Sequence, residues 1–452
     1  MEARESSSIR VLMMPWLAHG HVSPYMELAK KLAERNFIVF FCSTPINLTS
    51  INMKLSGMSD NPRYSGSIHP VELHLPSSPE LPPHHHTTNG LPPRLMPALK
   101  QAFDAASPAF SALLRTLNPD VVIYDFSQKW VADSASSLNI PAVQFLTLTP
   151  SFVSFILHLC ENPGEGFPFQ EIHVPEYVQD ELKAFAPSGD PEMARFVESL
   201  KKSSDLVLIK SSREIEGKYM NYLSSLVEKK IQPVGMLVQD PVDQEGDEEE
   251  IMDWLKNKEE ASTVFVSFGS EYLLSTEEIE EIALGLELSS ANFIWVVRFL
   301  SGEKISVSEA LLPEGFIKRV GERGKMVPGW APQAKILKHP SIGGFVSHCG
   351  WNSILESISF AVPIVALPMH LDQPLNARVV EAIGVGLEVM RDRSGKINGE
   401  ELGRVIKQVV VEKKGIQMSC KARELRKKAA MKEDQEMDEA VQELVKLCEK
   451  MK

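Results

Sequence analysis

The stretch WAPQAKILKHPSIGGFVSHCGWNSILESISFAVPIVALPMHLDQ, residues 330–373, carries the clearest fold signal in the chain. Residues 343–347 have the composition of a short buried strand, and the turn HCG leads from them into a predicted helix over 351–360. A second predicted strand, 363–367, follows that helix. Strands that alternate with helices in this way predict a parallel sheet covered by helices.

The turn between this strand and this helix is suited to an anion. The first N–H groups of a helix have no partner within the helix, and the positive end of its dipole favours negative charge. His348, Asn352 and Ser353 add hydrogen-bond donors at the same helix end. We therefore expect a diphosphate to bind here.

Other side chains in the stretch suit the remaining parts of a sugar nucleotide. Trp330 offers a flat face for a nucleobase, and Gln333 offers hydrogen bonds at the edge of the base. Glu356 lies one helical turn beyond the expected diphosphate site, where an acidic residue accepts ribose hydroxyls. Asp372 and Gln373 follow the second strand and suit the hydroxyls of a sugar. Each residue also has an ordinary structural explanation, so the prediction depends on their combination.

The N-terminal part opens a separate α/β layer. Residues 10–15 and 37–42 are predicted strands, and an amphipathic helix lies between them. The turn after the first strand lacks the GxGxxG pattern of nicotinamide dinucleotide sites and instead carries His19-Gly20-His21. The positive end of the following helix disfavours a charged imidazolium, so a histidine here is expected to stay neutral and to accept a proton.

Asp125 comes directly after another predicted strand, residues 119–124. Asp125 and His21 therefore stand at equivalent ends of two strands in one sheet, where ligands of α/β sheets bind. The carboxylate is placed to accept the second N–H of the imidazole and to fix its tautomer. Taken alone, His21 also fits a turn residue, and Asp125 also fits a helix cap.

The length of 452 residues favours two domains. We expect an N-terminal domain over residues 1–240, an acidic linker over 241–250 and a second α/β domain over 251–430. The charged helix over 431–452 is expected to pack back on the first domain. The acidic stretch DPVDQEGDEEE, residues 240–250, contains this linker and is expected to be solvated and to bind no metal.

Composition excludes several classes of protein. A net charge of −13 disfavours a nucleic-acid partner. The five cysteines are scattered without a CxxC pair, and the polar N-terminus and apolar runs of moderate length fit neither a signal peptide nor a membrane span. These features predict a cytoplasmic protein with reduced thiols. Three adjacent histidines at 84–86 lie in a Pro-rich loop and are expected to be solvated, without a metal.

The 330–373 stretch resembles the secondary-product glycosyltransferase signature of the plant family 1 UDP-dependent glycosyltransferases. The N-terminal PWLAHGH motif and the SFGS segment at 267–270 extend this resemblance over the whole chain. The segments SSPELPPHHHTTNGLPPRLMPAL and YDFSQKW are most similar to the branch-forming members, which add a sugar to the sugar of a triterpenoid or flavonoid glycoside. The signature is matched at Trp330, Pro332, Gln333, His348, Gly350, Trp351, Asn352, Ser353, Glu356, Pro363, Asp372 and Gln373.

The resemblance implies a GT-B fold, in which two Rossmann-like, doubly wound domains face each other across a cleft. It implies that His21 is the catalytic base and Asp125 its orienting partner. It further implies a UDP-sugar site with distinct contacts to base, ribose, diphosphate and sugar. The implied donor-site residues are Ser270, Trp330, Ala331, Gln333, His348, Gly350, Trp351, Asn352, Ser353, Glu356, Asp372 and Gln373. Trp351, Asp372 and Gln373 would contact the sugar and resemble the set in glucose-using members.

The expected reaction is an inverting transfer of glucose from UDP-glucose to a sugar hydroxyl of a small-molecule glycoside. We expect a triterpenoid glycoside as acceptor, and we expect no prosthetic group, no metal, no membrane insertion and a monomer. Two alternatives are a transferase acting on aglycones such as flavonoids and a non-catalytic UDP-sugar-binding module. A glycosidase would require two catalytic carboxylates, which His21 with one aspartate does not provide.

Overall fold

The computed structural model describes residues 8–56, 66–126, 128–173, 178, 191–239, 241, 248–269, 272–298, 312–392 and 394–450. The chain forms two compact units. The first comprises Met1–Gly164, Phe185–Leu237 and Met431–Lys452, and the second comprises Glu165–Ala184 and Val238–Ala430. Within the described part of the chain, no helix combines the length and the apolar character needed to cross a membrane.

The first unit is built on a seven-stranded parallel sheet with the order β3-β2-β1-β4-β5-β6-β7. Strands β2, β4 and β6 are almost entirely apolar, as expected for strands covered on both faces. Its strands are β1 Ile9–Met14, β2 Phe37–Ser43, β3 Ile68–Glu72, β4 Val121–Tyr124, β5 Ala142–Leu146, β6 Leu206–Ile209 and β7 Lys230–Pro233.

The second unit repeats this design with a six-stranded parallel sheet in the order β10-β9-β8-β11-β12-β13. Gly343 in β11 is required for close approach, because a Cβ there would lie 2.3 Å from the carbonyl oxygen of Ala261. The strands are β8 Thr263–Ser267, β9 Asn292–Val297, β10 Gly324–Pro328, β11 Ile342–Ser347, β12 Ile364–Ala366 and β13 Gly386–Glu388.

Helices connect the strands and cover both sheets. Those of the first unit are α1 His19–Ala33, α2 Pro45–Ser56, α3 Met96–Asp104, α4 Ser107–Leu117, α5 Lys129–Ser136, α6 Pro150–Glu161, α7 Pro191–Lys202 and α8 Arg213–Val227. Those that begin in the second unit are α9 Glu248–Lys256, α10 Thr276–Ser289, α11 Phe316–Val320, α12 Gln333–Lys338, α13 Trp351–Phe360, α14 Gln373–Ala382, α15 Gly399–Ile406 and α16 Gly415–Lys450.

The C-terminal end of α16 belongs to the first unit. Met437, Ala440 and Leu444 are buried in the same apolar cluster as strand residues of the first sheet. Arg35, two residues after the end of α1, binds this part of the helix through Nε, which donates to Asp438 Oδ1 at 2.7 Å. Residues 165–184 group with the second unit, which differs from the expectation of one N-terminal domain over 1–240. The described part of that segment, 165–173, forms no strand and therefore gave no sequence signal.

Each sheet has one point where the strand order reverses. In the first sheet β1 and β4 are neighbours, and in the second β8 and β11 are neighbours. The connections after the two strands of each pair lead to opposite sides, so a crevice opens at their carboxyl ends. His21 and Asp125 follow β1 and β4, whereas Gly269 and His348 follow β8 and β11.

Candidate active site

We call the point where the strand order of a sheet reverses its switch point. The first switch point, between β1 and β4, brings His21 and Asp125 into contact. His21 Nδ1 lies 2.9 Å from Asp125 Oδ2. The aspartate is fully buried, whereas 18% of the histidine side chain remains exposed. His21 is the third residue of α1, whose N-cap, Ala18, offers no side-chain acceptor. The chain thus holds an accessible imidazole at a helix N-terminus against a carboxylate that is shielded from water.

Backbone groups fix the Asp125 carboxylate from the other side. Trp16 N donates to Oδ2 at 2.9 Å, and Phe126 N donates to Oδ1 at 2.7 Å. An ionised carboxylate only accepts hydrogen bonds, so His21 must carry a proton on Nδ1 to complete the set. Nε2 is then the atom of a neutral imidazole that accepts a proton.

Thr147 is a third member of this group that sequence reasoning missed. Its Oγ1 lies 3.1 Å from His21 Nδ1. Thr147 directly follows β5, the strand beside β4, so it occupies the same edge of the sheet. The sequence signal that could have identified Thr147 is a polar residue immediately after a predicted strand, which is the same signal that identified Asp125.

The second switch point forms the expected strand–turn–helix arrangement. The turn passes through Cys349, whose φ is +65°, and Gly350 is the N-cap of α13. Gly350 has no side chain to cap the helix, in contrast to Ser275, which forms a capping box at α10. Asn376 Nδ2 holds the turn by donating to the carbonyl oxygen of Cys349 at 3.0 Å. The first turn of α13 is therefore shaped without a side-chain cap.

His348 packs tightly between two glycines. A Cβ added to Gly269 would lie 2.8 Å from its Nε2, and one added to Gly350 would lie 2.5 Å away. The φ of Gly269 is +73°, which also favours glycine. Small residues at these two positions allow the imidazole to lie at the strand end between the two turns.

His348 is neutral at pH 7. Burial lowers its pKa to about 4, the neighbouring His370 acts in the same direction, and the backbone of Ser267 opposes the shift. A neutral imidazole carries one N–H group that can donate a hydrogen bond, but it supplies no charge.

The residues expected at the base and ribose are linked to the first turn of α13. Gln333 Nε2 donates to Glu356 Oε2 at 2.7 Å and to Ser353 Oγ at 3.1 Å. Trp330 is 65% exposed, although large aromatic residues are usually buried, whereas Ala331 beside it is buried. An exposed indole face next to a fixed carboxylate suits a nucleoside.

The three residues expected to contact the sugar, Trp351, Asp372 and Gln373, differ in their hydrogen bonds and in their exposure. Asp372 Oδ2 accepts from Asn376 Nδ2 at 2.6 Å. Gln373 Oε1 accepts from the backbone N–H groups of Met369 and His370, at 3.0 and 3.1 Å, and the residue is 6% exposed. Trp351 is only 3% exposed, so its ring offers little surface to a sugar.

The predicted site residues thus fall into two groups, one in each compact unit. His21 and Asp125 belong to the first, and the donor-site residues from Trp330 to Gln373 belong to the second. Asn352 is the second residue of α13, beside Ser353. Ser270 lies outside the described residues.

Comparison with known proteins identifies both halves of the chain. Residues 7–238 match the model described as "Glycosyltransferase, N-terminal domain", and residues 230–432 match "UDP-glucoronosyl and UDP-glucosyl transferase". The chain is 52% identical to UDP-glucosyltransferase 29 of Panax ginseng, over 99% of each chain. It is also 52% identical to the beta-D-glucosyl crocetin beta-1,6-glucosyltransferase of Gardenia jasminoides, over 96% of this chain and 98% of the relative.

The same likeness holds in three dimensions. A Phytolacca americana glycosyltransferase, solved with UDP-2fluoro-glucose and pterostilbene, superposes with a TM-score of 0.76 at 27% identity. The alignment covers 98% of this chain and all of that one. The fold class is α/β of the GT-B type, as the sequence predicts. The chain therefore belongs to the UDP-glycosyltransferase family and is an enzyme of that class.

Proposed function

We propose that the enzyme transfers glucose from UDP-glucose, with inversion, to a sugar hydroxyl of a small-molecule glycoside, and that triterpenoid glycosides are its main acceptors. The observation that carries the chemistry is the 2.9 Å contact between His21 Nδ1 and Asp125 Oδ2. The sugar-directed acceptor class is supported by the 52% identical relative whose name gives a glucosylated compound as its substrate.

The chemistry begins at His21. Nε2 takes the proton of an acceptor hydroxyl, and the hydroxyl oxygen forms a bond to the anomeric carbon of the donor. The bond from that carbon to the diphosphate oxygen breaks on the opposite face, and UDP leaves. One displacement converts an α-linked donor into a β-glucoside. Asp125 keeps the Nδ1 proton in place and stabilises the imidazolium that forms.

The second unit holds the donor. We propose that Trp330 stacks on the uracil, that Gln333 binds the nucleoside and that Glu356 accepts the ribose hydroxyls. The diphosphate would lie at the first turn of α13, with His348, Asn352, Ser353 and Ser270 as donors. Asp372 and Gln373 would bind the glucose hydroxyls. The buried ring of Trp351 makes its backbone the more suitable contact.

Paired acceptors test the function. The purified enzyme is incubated with UDP-glucose and matched sets of an aglycone, its monoglucoside and its diglucoside, for triterpenoids and for flavonoids. Mass spectrometry and linkage analysis should show a hexose added to the glucosides, attached through a sugar hydroxyl. Products formed only from aglycones would instead establish the aglycone-directed alternative.

We also infer a cytoplasmic monomer that uses UDP-glucose as a co-substrate and needs no prosthetic group. No disulfide joins any of the five cysteines, all of which lie in the described part of the chain, and this suits a reducing compartment. Sedimentation of the purified protein should give one species near the chain mass of 50.4 kDa.

A further inference from the structure

Arg298 stands at the carboxyl edge of the second sheet, immediately after β9. β9 lies between β8 and β10 in the sheet. The segments that follow these two neighbouring strands lead into the proposed donor site. The sequence signature does not include this residue.

Two contacts tie the end of β9 to opposite parts of the proposed UDP site. Arg298 Nη1 donates to the carbonyl oxygen of Gly269 at 3.2 Å. On the other side, the carbonyl oxygen of Val297 accepts from Gly329 N at 2.8 Å, and Trp330 follows that glycine. The guanidinium is thus fixed beside the turn after β8, and its strand also anchors the loop that presents the exposed indole.

The contact with Gly269 places the charge near the expected diphosphate. Gly269 lies against the imidazole of His348, since a Cβ there would be 2.8 Å from Nε2. His348 lies two residues before Gly350, the N-cap of α13. Arg298, Gly269 and His348 therefore form a continuous group at the switch point of this sheet.

A bound diphosphate is stabilised by positive charge close to it. The protein has a net charge of −13, and Glu356 and Asp372 place carboxylates at the same sheet edge. Burial lowers the pKa of His348 to about 4, so this residue contributes no charge in the free enzyme at pH 7. The partial charge of a helix N-terminus is only about half an elementary charge.

We propose that Arg298 supplies the fixed positive charge that recognises the diphosphate of the nucleotide, and that its hydrogen bond to the Gly269 carbonyl oxygen orients the guanidinium. The proposal rests on the donor site proposed above. Because the charge acts on the diphosphate and not on the base or ribose, its loss weakens UDP binding but spares uridine.

Calorimetry with UDP and with uridine tests this assignment. Arg298→Met should lower the affinity for UDP roughly tenfold and change the affinity for uridine by less than about twofold. Arg298→Lys keeps a charge and should recover most of the preference for UDP. Arg298→Gln keeps a hydrogen-bond donor for Gly269 without the charge and should behave like Arg298→Met.

Arg323→Met is a matched control in the same unit. Arg323 Nη1 also donates to a backbone carbonyl oxygen, that of Ala291 at 2.9 Å, but at the amino end of β9. It should leave UDP binding unchanged, and thermal unfolding of every variant identifies those that fail to fold.

The outcomes separate the two proposals. If the wild-type enzyme binds UDP no more tightly than uridine, the diphosphate site itself is misplaced. If the wild type prefers UDP and folded Arg298→Met keeps the whole preference, Arg298 does not recognise the diphosphate. A parallel loss of UDP and uridine binding would also overturn the proposal, because it would show a purely structural role.

Discussion

The two sheets share a topology, yet their switch points present different chemistry. Between β1 and β4, His21 and Asp125 form a contact between two ionisable side chains, with the carboxylate fully buried and the imidazole accessible. Between β8 and β11, a neutral His348 packs against two glycines beside a helix N-terminus without a side-chain cap. We propose that the first edge moves a proton and that the second holds an anion.

This difference shows how one fold serves two purposes. In both units the strand order creates the crevice, and the residues directly after the strands decide its use. At the first edge Asp125 and Thr147, which directly follow β4 and β5, converge on Nδ1 of His21. At the second edge, glycines and a tight turn leave room for a ligand. Reactivity and donor affinity should therefore respond to different substitutions.

The largest expected effect is on turnover when the base is removed. His21→Ala should lower kcat by about 10²–10⁴, because no other group replaces its Nε2. Initial rates of glucoside formation at saturating UDP-glucose measure this change. His19→Ala, two residues earlier and exposed, is the matched control and should remain active. A rate for His21→Ala equal to that of the wild type would remove the general-base role.

The next effect concerns the partner of His21. Asp125→Asn should lower kcat by roughly 10² or more, since an amide no longer stabilises the imidazolium or selects the Nδ1–H tautomer. Asp125→Ala should also lower the free energy of unfolding by about 1–3 kcal/mol, because the N–H groups of Trp16 and Phe126 lose their acceptor. Steady-state kinetics and urea unfolding check both values. Full activity of Asp125→Asn would show that the contact does not serve catalysis.

At the second switch point we expect a smaller effect on affinity. Glu356→Ala should weaken UDP binding about tenfold, because it removes a ribose acceptor and the partner of Gln333 at 2.7 Å. Calorimetry measures the change. Glu400→Ala, an exposed carboxylate in the first turn of α15, should bind UDP like the wild type. Unchanged affinity in Glu356→Ala would remove the ribose assignment.

The smallest effect, when compared near neutral pH, is the pH dependence of stability that His348 contributes. Its pKa is lowered to about 4 in the folded enzyme, so protonation favours the unfolded chain as pH falls from about 6.5 toward 4. The expected loss is less than about 1 kcal/mol between pH 7 and 6 and about 2 kcal/mol by pH 5. Urea unfolding of wild type and His348→Asn at each pH isolates the contribution. Identical pH profiles would contradict a neutral His348 in the fold.

The sequence predicted the central parts of this structure because their signals are local. Apolar runs flanked by turns revealed β1, β2, β4, β11 and β12, and helix α13 begins and ends where its pattern predicts. The edge strands β3, β7 and β13 were missed. β3 is only partly buried and contains Pro70, and β13 has only three residues, so neither shows a strong pattern.

The contact between His21 and Asp125 was predictable because strand ends in one parallel sheet share an edge. The proximity of Thr147 to His21, the burial of Trp351 and the neutral state of His348 were not predictable, because each depends on packing between distant segments. No sequence motif includes Arg298, and only its hydrogen bond to the carbonyl oxygen of Gly269 indicates that it lies beside the proposed diphosphate site.

The central claim, that reactivity and donor affinity are separate properties of the two units, is tested most directly by a crossed measurement. The UDP affinity of His21→Ala and the kcat of Glu356→Ala at saturating UDP-glucose are determined in parallel. The account predicts that His21→Ala binds UDP within about twofold of the wild type and that Glu356→Ala retains kcat within about tenfold. Loss of UDP binding in His21→Ala, together with a kcat for Glu356→Ala as low as that of His21→Ala, would contradict it.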